Sequence, residues 1–253
     1  MEVIKLCVIA YQTKNQDLLT YEEIKNMALT NPHGMGWMAN LNGKIFYKKG
    51  YFNVDEFYND YVTLRNNPDL VDIALHFRIG TGSAIDVANC HPFPITSVKK
   101  RLKRSKGTAD VCIMMNGIIG KSTQELSDTA IFTMTQLKKY YNMDSRFFLH
   151  FNKVQKKAFD NEISGCRFVF MSKDGSKLFG YGWSDYEGKA KVSNRHWIPK
   201  PIYNPYYPYS FDDYDVEDWW TPKRAQRFAP QRSSDTDKKQ YKSYIDYLMQ
   251  GVV

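Results

Sequence analysis

Four short segments carry side chains whose types suit one reaction. Cys7 sits inside KLCVIAY, and His76-Phe77-Arg78-Ile79-Gly80-Thr81-Gly82 closes a later apolar run, with Asn89-Cys90-His91-Pro92-Phe93 soon after. Met115-Asn116-Gly117-Ile118-Ile119 places a polar step in an apolar stretch, and Ser127-Asp128-Thr129 precedes a helical pattern. A cysteine is the best side-chain nucleophile near neutral pH once a base removes its proton. Arg78 offers a planar fork for a carboxylate. The Asn116 amide beside the Gly117 backbone N–H could form a two-donor oxyanion hole, and Asp128 could hold an ammonium group. Together they suit a substrate with a carboxylate, an ammonium and a scissile carbonyl, which describes an amino acid amide. Taken singly, each has a structural reading: a buried strand cysteine, an ion-pair arginine, a bend in a strand, and a helix cap.

The elements that must position these residues follow from patterning. Val3–Tyr11, Val71–Ile79 and Val111–Ile119 are apolar runs of strand length. Gly36–Asn40 and Lys44–Tyr47 flank Asn42-Gly43, a strong two-residue hairpin signal, and Arg167–Ser172 and Lys177–Tyr181 flank Asp174-Gly175. Glu22–Leu29 and Val54–Arg65 read as helices, the second capped by Asn53, and Ser127–Tyr141 and Arg146–Phe159 follow as two more. Hairpins interspersed with helices predict an α+β domain with largely antiparallel sheets rather than a doubly wound one.

Near Asn194 the composition changes. Six of the ten prolines lie beyond it, and Trp197–Trp220 contains nine aromatics. The expected organisation is therefore a domain over 1–193 and an aromatic, proline-rich arm with a terminal amphipathic helix (Asp235–Met249) over 194–253. The arm either wraps its own domain or, through residues 197–220, meets a protein partner. The net charge of +8 and six basic residues between Lys99 and Lys106 admit nucleic acid as a partner, as does the basic stretch Lys223–Arg232. No aromatic residue is interleaved in the Lys99–Lys106 run to stack on bases, so a solvated loop is the simpler expectation there. The chain is 43% hydrophobic and 25% charged, ordinary for a globular protein. No run approaches the ~18–20 apolar residues of a membrane span. The four cysteines lack ligand spacing for zinc, and with no signal-peptide pattern at Met1 a cytoplasmic location is expected.

In their joint order, Cys7, HFRIGT, NCHPF, NG and SDT resemble the class II glutamine amidotransferases. These are N-terminal-nucleophile hydrolases whose usual strings run close to HxRxAT, NxHP, HNG and SDTE. NPHGMGWMA at residues 31–39 is similar to their NPDGxG segment. The likeness is greatest to compact stand-alone members found in phage and bacterial genomes, and it spans roughly residues 7–182. It implies a four-layer αββα sandwich and hydrolysis of the glutamine side-chain amide. Cys7 would be the nucleophile, with its own α-amino group as general base. Asn116 and Gly117 would stabilise the oxyanion, Arg78 with Thr81 would hold the substrate carboxylate, and Asp128 would hold its ammonium. No metal or organic cofactor is implied. A phage-encoded member would act in the host cytoplasm.

The sequence departs from that pattern at four places. Residues 1–6 precede Cys7, so a propeptide is expected if the site works. Met115 stands for the histidine of HNG, Gly82 for a histidine after Thr81, and His33 for the aspartate of NPDG. The alternative reading is an inactive protein of the same fold that binds protein or nucleic acid through its arm and basic loop.

Overall fold

The computed structural model describes residues 6–80 and 82–199. Its elements run β1 (Val8–Thr13), α1 (Tyr21–Thr30), β2 (Met35–Leu41), β3 (Lys44–Tyr51), α2 (Val54–Arg65) and β4 (Leu70–Phe77). Next come β5 (Phe93–Pro94), α3 (Lys99–Leu102), β6 (Lys106–Ala109), β7 (Val111–Asn116) and α4 (Asp128–Phe132). A π-helical turn (Thr133–Leu137), α5 (Lys138–Met143), α6 (Phe147–His150) and α7 (Lys153–Glu162) lead to β8 (Arg167–Ser172), β9 (Gly175–Phe179), β10 (Ser184–Tyr186) and β11 (Ala190–Val192). The class is α+β. A seven-stranded sheet in the order β10-β11-β1-β4-β2-β3-β6 and a four-stranded sheet in the order β5-β7-β8-β9 are antiparallel throughout.

Local chemistry explains the boundaries. Asn42 and Gly43 take φ of 49° and 82°, the paired positive angles that a type I′ hairpin needs, and Asn40 Oδ1 accepts the Gly43 N–H at 2.8 Å. Thr20 and Glu23 form a reciprocal capping box on α1, and Asn53 caps α2. The helix expected over Ser127–Tyr141 is interrupted by the π-helical turn. There Thr133 Oγ1 donates to Thr129 O at 2.7 Å and Thr135 Oγ1 to Ile131 O at 2.8 Å, back-bonds that bend helices. The helix expected over Arg146–Phe159 is likewise two helices, because Asn152 caps α7 by accepting from Val154 N and Gln155 N. The Lys99–Lys106 run is not a plain loop. It holds α3, whose Leu102 is fully buried, and the first residue of β6.

Alternation in the strands sorts the side chains into layers. Ile9, Met38, Ile45 and Ala74 of the large sheet meet Cys112, Met114, Val169 and Met171 of the small one in a single buried cluster. Ile113, Met115, Phe168 and Phe170, on the other face of the small sheet, pack with Ala130, Leu137, Phe148 and Phe159 of the helical segments. On the other face of the large sheet, Phe57 of α2 meets Tyr51 and Phe77 edge-on. Tyr61 of the same helix accepts from Leu19 N at 2.8 Å and donates to Gln12 Oε1 at 2.7 Å. Thr81, residues 1–5 of the expected propeptide, and the arm and terminal helix beyond residue 199 lie outside the described residues. Trp197, the arm's first aromatic, is buried against Tyr186 with ring centroids 4.9 Å apart. Among the described residues, no helix is long and apolar enough to cross a membrane.

Candidate active site

Register between β1 and β4 assembles the site. Val8 pairs with Phe77, so the residues flanking that pair, Cys7 and the Arg78-Ile79 step, are neighbours. The Ile79 N–H donates to Cys7 Sγ at 3.3 Å, and the thiol reaches Ile79 O at 3.5 Å. Asn194 Nδ2 donates to Cys7 O at 2.7 Å and fixes the backbone from the other side. The Asn31–Gly34 segment is stitched to the end of β4: His33 N–H to Arg78 O at 3.0 Å, Arg78 N–H to Gly34 O at 2.9 Å, and Gly80 N–H to His33 Nδ1 at 2.8 Å. His33, standing for the aspartate of the resembled family, thus uses a neutral ring nitrogen as acceptor. Burial and the Arg78 charge both lower its pKa.

Cys7, Arg78, Gly117 and Asp128 line one cleft of about 30 Å³, together with His91, Ser83 and Ser122; that volume holds about one water molecule. Arg78 is 3% exposed. Its Nη2 donates to Ser83 Oγ at 2.8 Å, while Nη1 is buried without a partner, and no carboxylate among the described residues pairs with it. Asp128 Oδ2 accepts from Ile119 N at 2.8 Å and Oδ1 from Thr129 N at 2.7 Å, tying the Gly117–Ile119 turn to the start of α4. Gly117 has φ of 141°, and a Cβ there would lie 2.6 Å from Cys166 Sγ and 2.9 Å from Cys166 Cα, so only glycine fits this backbone.

Asn116 is the exception among the expected site residues, since it does not line the cleft. Its Nδ2 donates to Ser193 Oγ at 2.9 Å, and the same oxygen accepts the β1 Ile9 N–H at 2.9 Å. Asn116 Oδ1 is buried and unpartnered. Exchanging the isosteric amide ends would let the Ser193 hydroxyl donate to Oδ1 and free the NH₂ group.

Burial dominates the electrostatics. The Cys7 thiol is pushed up to about 11 by desolvation, against the opposing pull of the Ile79 hydrogen bond and Arg78, so it is a neutral thiol at physiological pH. His76, whose Nε2 meets Met115 O at 3.0 Å, is held down to about 3 by burial. His91 stacks on His76 with centroids 4.0 Å apart, and both its ring nitrogens are unpartnered. Burial, His76, Lys49 and Arg78 keep its pKa well below the usual histidine range.

The motifs therefore converge. Cys7, Arg78, Gly117 and Asp128 share a cleft, Asn116 stands one residue from it, and Thr81 lies outside the described residues. Ser83, Ser193 and Asn194 escaped sequence reasoning: serine and asparagine near a composition change carry no signal until β11 is paired with β1. No family model matches the chain, and no curated protein matches it.

Proposed function

We propose that the chain is a glutamine amidotransferase-like protein of the N-terminal-nucleophile type, hydrolysing the glutamine side-chain amide through Cys7 once residues 1–6 are removed. The observation that carries this reading is the Arg78 guanidinium, buried with an unpartnered Nη1 and, among the described residues, no paired carboxylate, in one cleft with a cysteine, a glycine and an aspartate. An isolated buried cation costs several kcal/mol, and a substrate carboxylate is the natural group to offset it. Asp128 supplies the opposite charge for the substrate ammonium, which fixes the orientation of an amino acid between the two. The two antiparallel sheets packed face to face, with helical side chains against each outer face, fit the four-layer αββα sandwich that this reading requires.

The chemistry follows from the groups. With Cys7 as the first residue, its α-amine takes the thiol proton and the thiolate attacks the side-chain carbonyl carbon. The Gly117 N–H and the Asn116 amide stabilise the oxyanion. The amine returns the proton to the leaving ammonia, and water hydrolyses the γ-glutamyl thioester to glutamate.

A second reading rests on the thiol's raised pKa and the narrow cleft: the unprocessed chain is catalytically silent and serves as a binding protein of the same fold. Intact mass before and after exposure to a glutamine-analogue diazoketone separates the two. One adduct on a chain beginning at Cys7, with ammonia released from glutamine, supports the enzyme. A chain beginning at Cys7 that gains no adduct and releases no ammonia overturns it.

A further inference from the structure

A second cavity, far larger than the Cys7 cleft, lies elsewhere in the described residues. It is a groove of about 880 Å³ at the opposite end of the two sheets. Cys7 lies where β1 begins and β4 ends, whereas the groove is lined by the start of β3, by β6, by the start of β7 and by the β8–β9 turn. Its charged lining is five basic side chains, Lys44, Arg101, Arg104, Arg146 and Lys173, against two acidic ones, Asp110 and Asp174. The five come from four separate parts of the chain, so the concentration of positive charge is made by the fold and not by one basic run. Asp110 is already engaged, accepting from the Tyr141 hydroxyl at 2.9 Å.

We propose that this groove binds single-stranded nucleic acid, with backbone phosphates on the guanidiniums of Arg101, Arg104 and Arg146 and a base against Tyr141. Three features favour a strand over an isolated phosphate. Arginine forks match phosphate oxygens in pairs, and here three of them, from two separate segments of the chain, line one groove. Two further basic residues of the same segment, Lys100 (exposed) and Lys103 (half-exposed), stand next in sequence to the groove arginines, adding charge for successive phosphates. The basic run has no aromatic residue of its own, but Tyr141, half-exposed, lines the groove with its hydroxyl held by Asp110 and Lys138 Nζ over one ring face, 4.2 Å from the centroid. A positive groove with an aromatic platform is the combination that single-strand binders use. The proposal is independent of the glutaminase reading, since it shares no residue with the Cys7 cleft.

The test is fluorescence anisotropy of a labelled mixed-sequence single-stranded RNA with the full-length chain over a series of KCl concentrations. Binding should weaken steeply with salt, by about 0.7 log units in affinity per tenfold salt for each phosphate contacted. The double substitution R101E/R104E should lower affinity by about tenfold or more and reduce that slope by about 1.4. Tyr141→Leu should weaken binding by about tenfold, and Tyr141→Phe, which keeps the ring, should not. Arg146→Ala, in a separate segment of the groove lining, should reduce the slope independently. Binding unchanged in R101E/R104E and in Arg146→Ala would come from elsewhere on the chain and overturns the proposal. So does displacement of the RNA by a nucleoside triphosphate as effective as by unlabelled RNA, which would make the groove a site for one small anion.

Discussion

The sharpest consequence of the site's electrostatics concerns Cys7 while Leu6 is still attached. Desolvation places its thiol at about 11, against 9.0 for an unperturbed cysteine. At pH 8 the thiolate fraction is then about 0.001, compared with about 0.1 for an ordinary thiol, and alkylation proceeds through the thiolate. Cys7 in the full-length chain should therefore react with iodoacetamide about 100-fold more slowly than a model thiol. The rate should keep rising tenfold per pH unit past pH 9 before levelling. The slope matters because poor access lowers every rate equally but leaves the midpoint where ionisation puts it. Quenched reactions at a series of pH values, with adducts mapped by peptide mass, resolve Cys7 from Cys90, Cys112 and Cys166, which are all buried free thiols. A chain made to begin at Cys7 should level off below pH 9, because the new amine and the opened backbone relieve the burial. A full-length chain whose Cys7 reaction levels off below pH 9 would refute the reasoning.

Other perturbations test the frame around that thiol. Gly117→Ala forces a side chain into a left-handed φ and onto Cys166; it should cost about 2–4 kcal/mol in urea unfolding with the m-value unchanged. Arg78→Met removes a buried unpaired cation, so stability should hold or rise by about 1 kcal/mol while glutamine turnover by the processed chain is lost; a drop of several kcal/mol would show Arg78 to be structural. For His91 the sign runs with burial. Its folded pKa lies well below 6.5, so the unfolded chain takes up the proton first and stability, full above pH 6.5, falls with acid. By pH 5 that loss reaches about 2 kcal/mol per such histidine. His91→Phe should remove one share of it in unfolding curves at pH 7 and pH 5, leaving the share of His76.

Much of this site was legible because its motifs close or open strands. HFRIG ends β4 in one sheet and NG ends β7 in the other, and packing the two sheets face to face brings both ends to one cleft. The capping residues Asn53 and Ser127 and the Asn42-Gly43 turn act locally and were readable for that reason. What escaped depends on long-range pairing. β10 and β11 are three residues each, too short to show a period, yet β11 delivers Ser193 to Asn116 and Asn194 to Cys7 across more than 70 intervening residues. The groove cations were visible as a run at Lys99–Lys106, but Arg146, Lys173 and Tyr141 join them only through sheet topology. The breaks within the predicted helices came from threonine back-bonding and a second asparagine cap, which a hydrophobic period does not register.

The choice of general base decides what kind of cysteine enzyme this site could be. A thiol–imidazole pair needs a histidine nitrogen within hydrogen-bonding reach of the sulfur and a pKa near the working pH. Among the described residues, the Cys7 thiol bonds with Ile79 backbone atoms and with no histidine. His91, which shares the cleft, is driven down by burial and by the charges of Arg78 and Lys49. Burial first, and then the same Arg78 that would hold a carboxylate, weakens this imidazole as a base, and His76 is committed to Met115 O. With both histidines set aside, the proposed N-terminal-nucleophile reading takes an amine on Cys7 itself as the proton acceptor, a group that exists only when the bond between Leu6 and Cys7 is broken. The arrangement is thus coherent as a latent site and incoherent as a thiol–imidazole one. His91→Phe tests the distinction in the processed chain: glutamine hydrolysis should retain its pH profile, and a profile that loses an ionisation near pH 6 would return the imidazole to the mechanism.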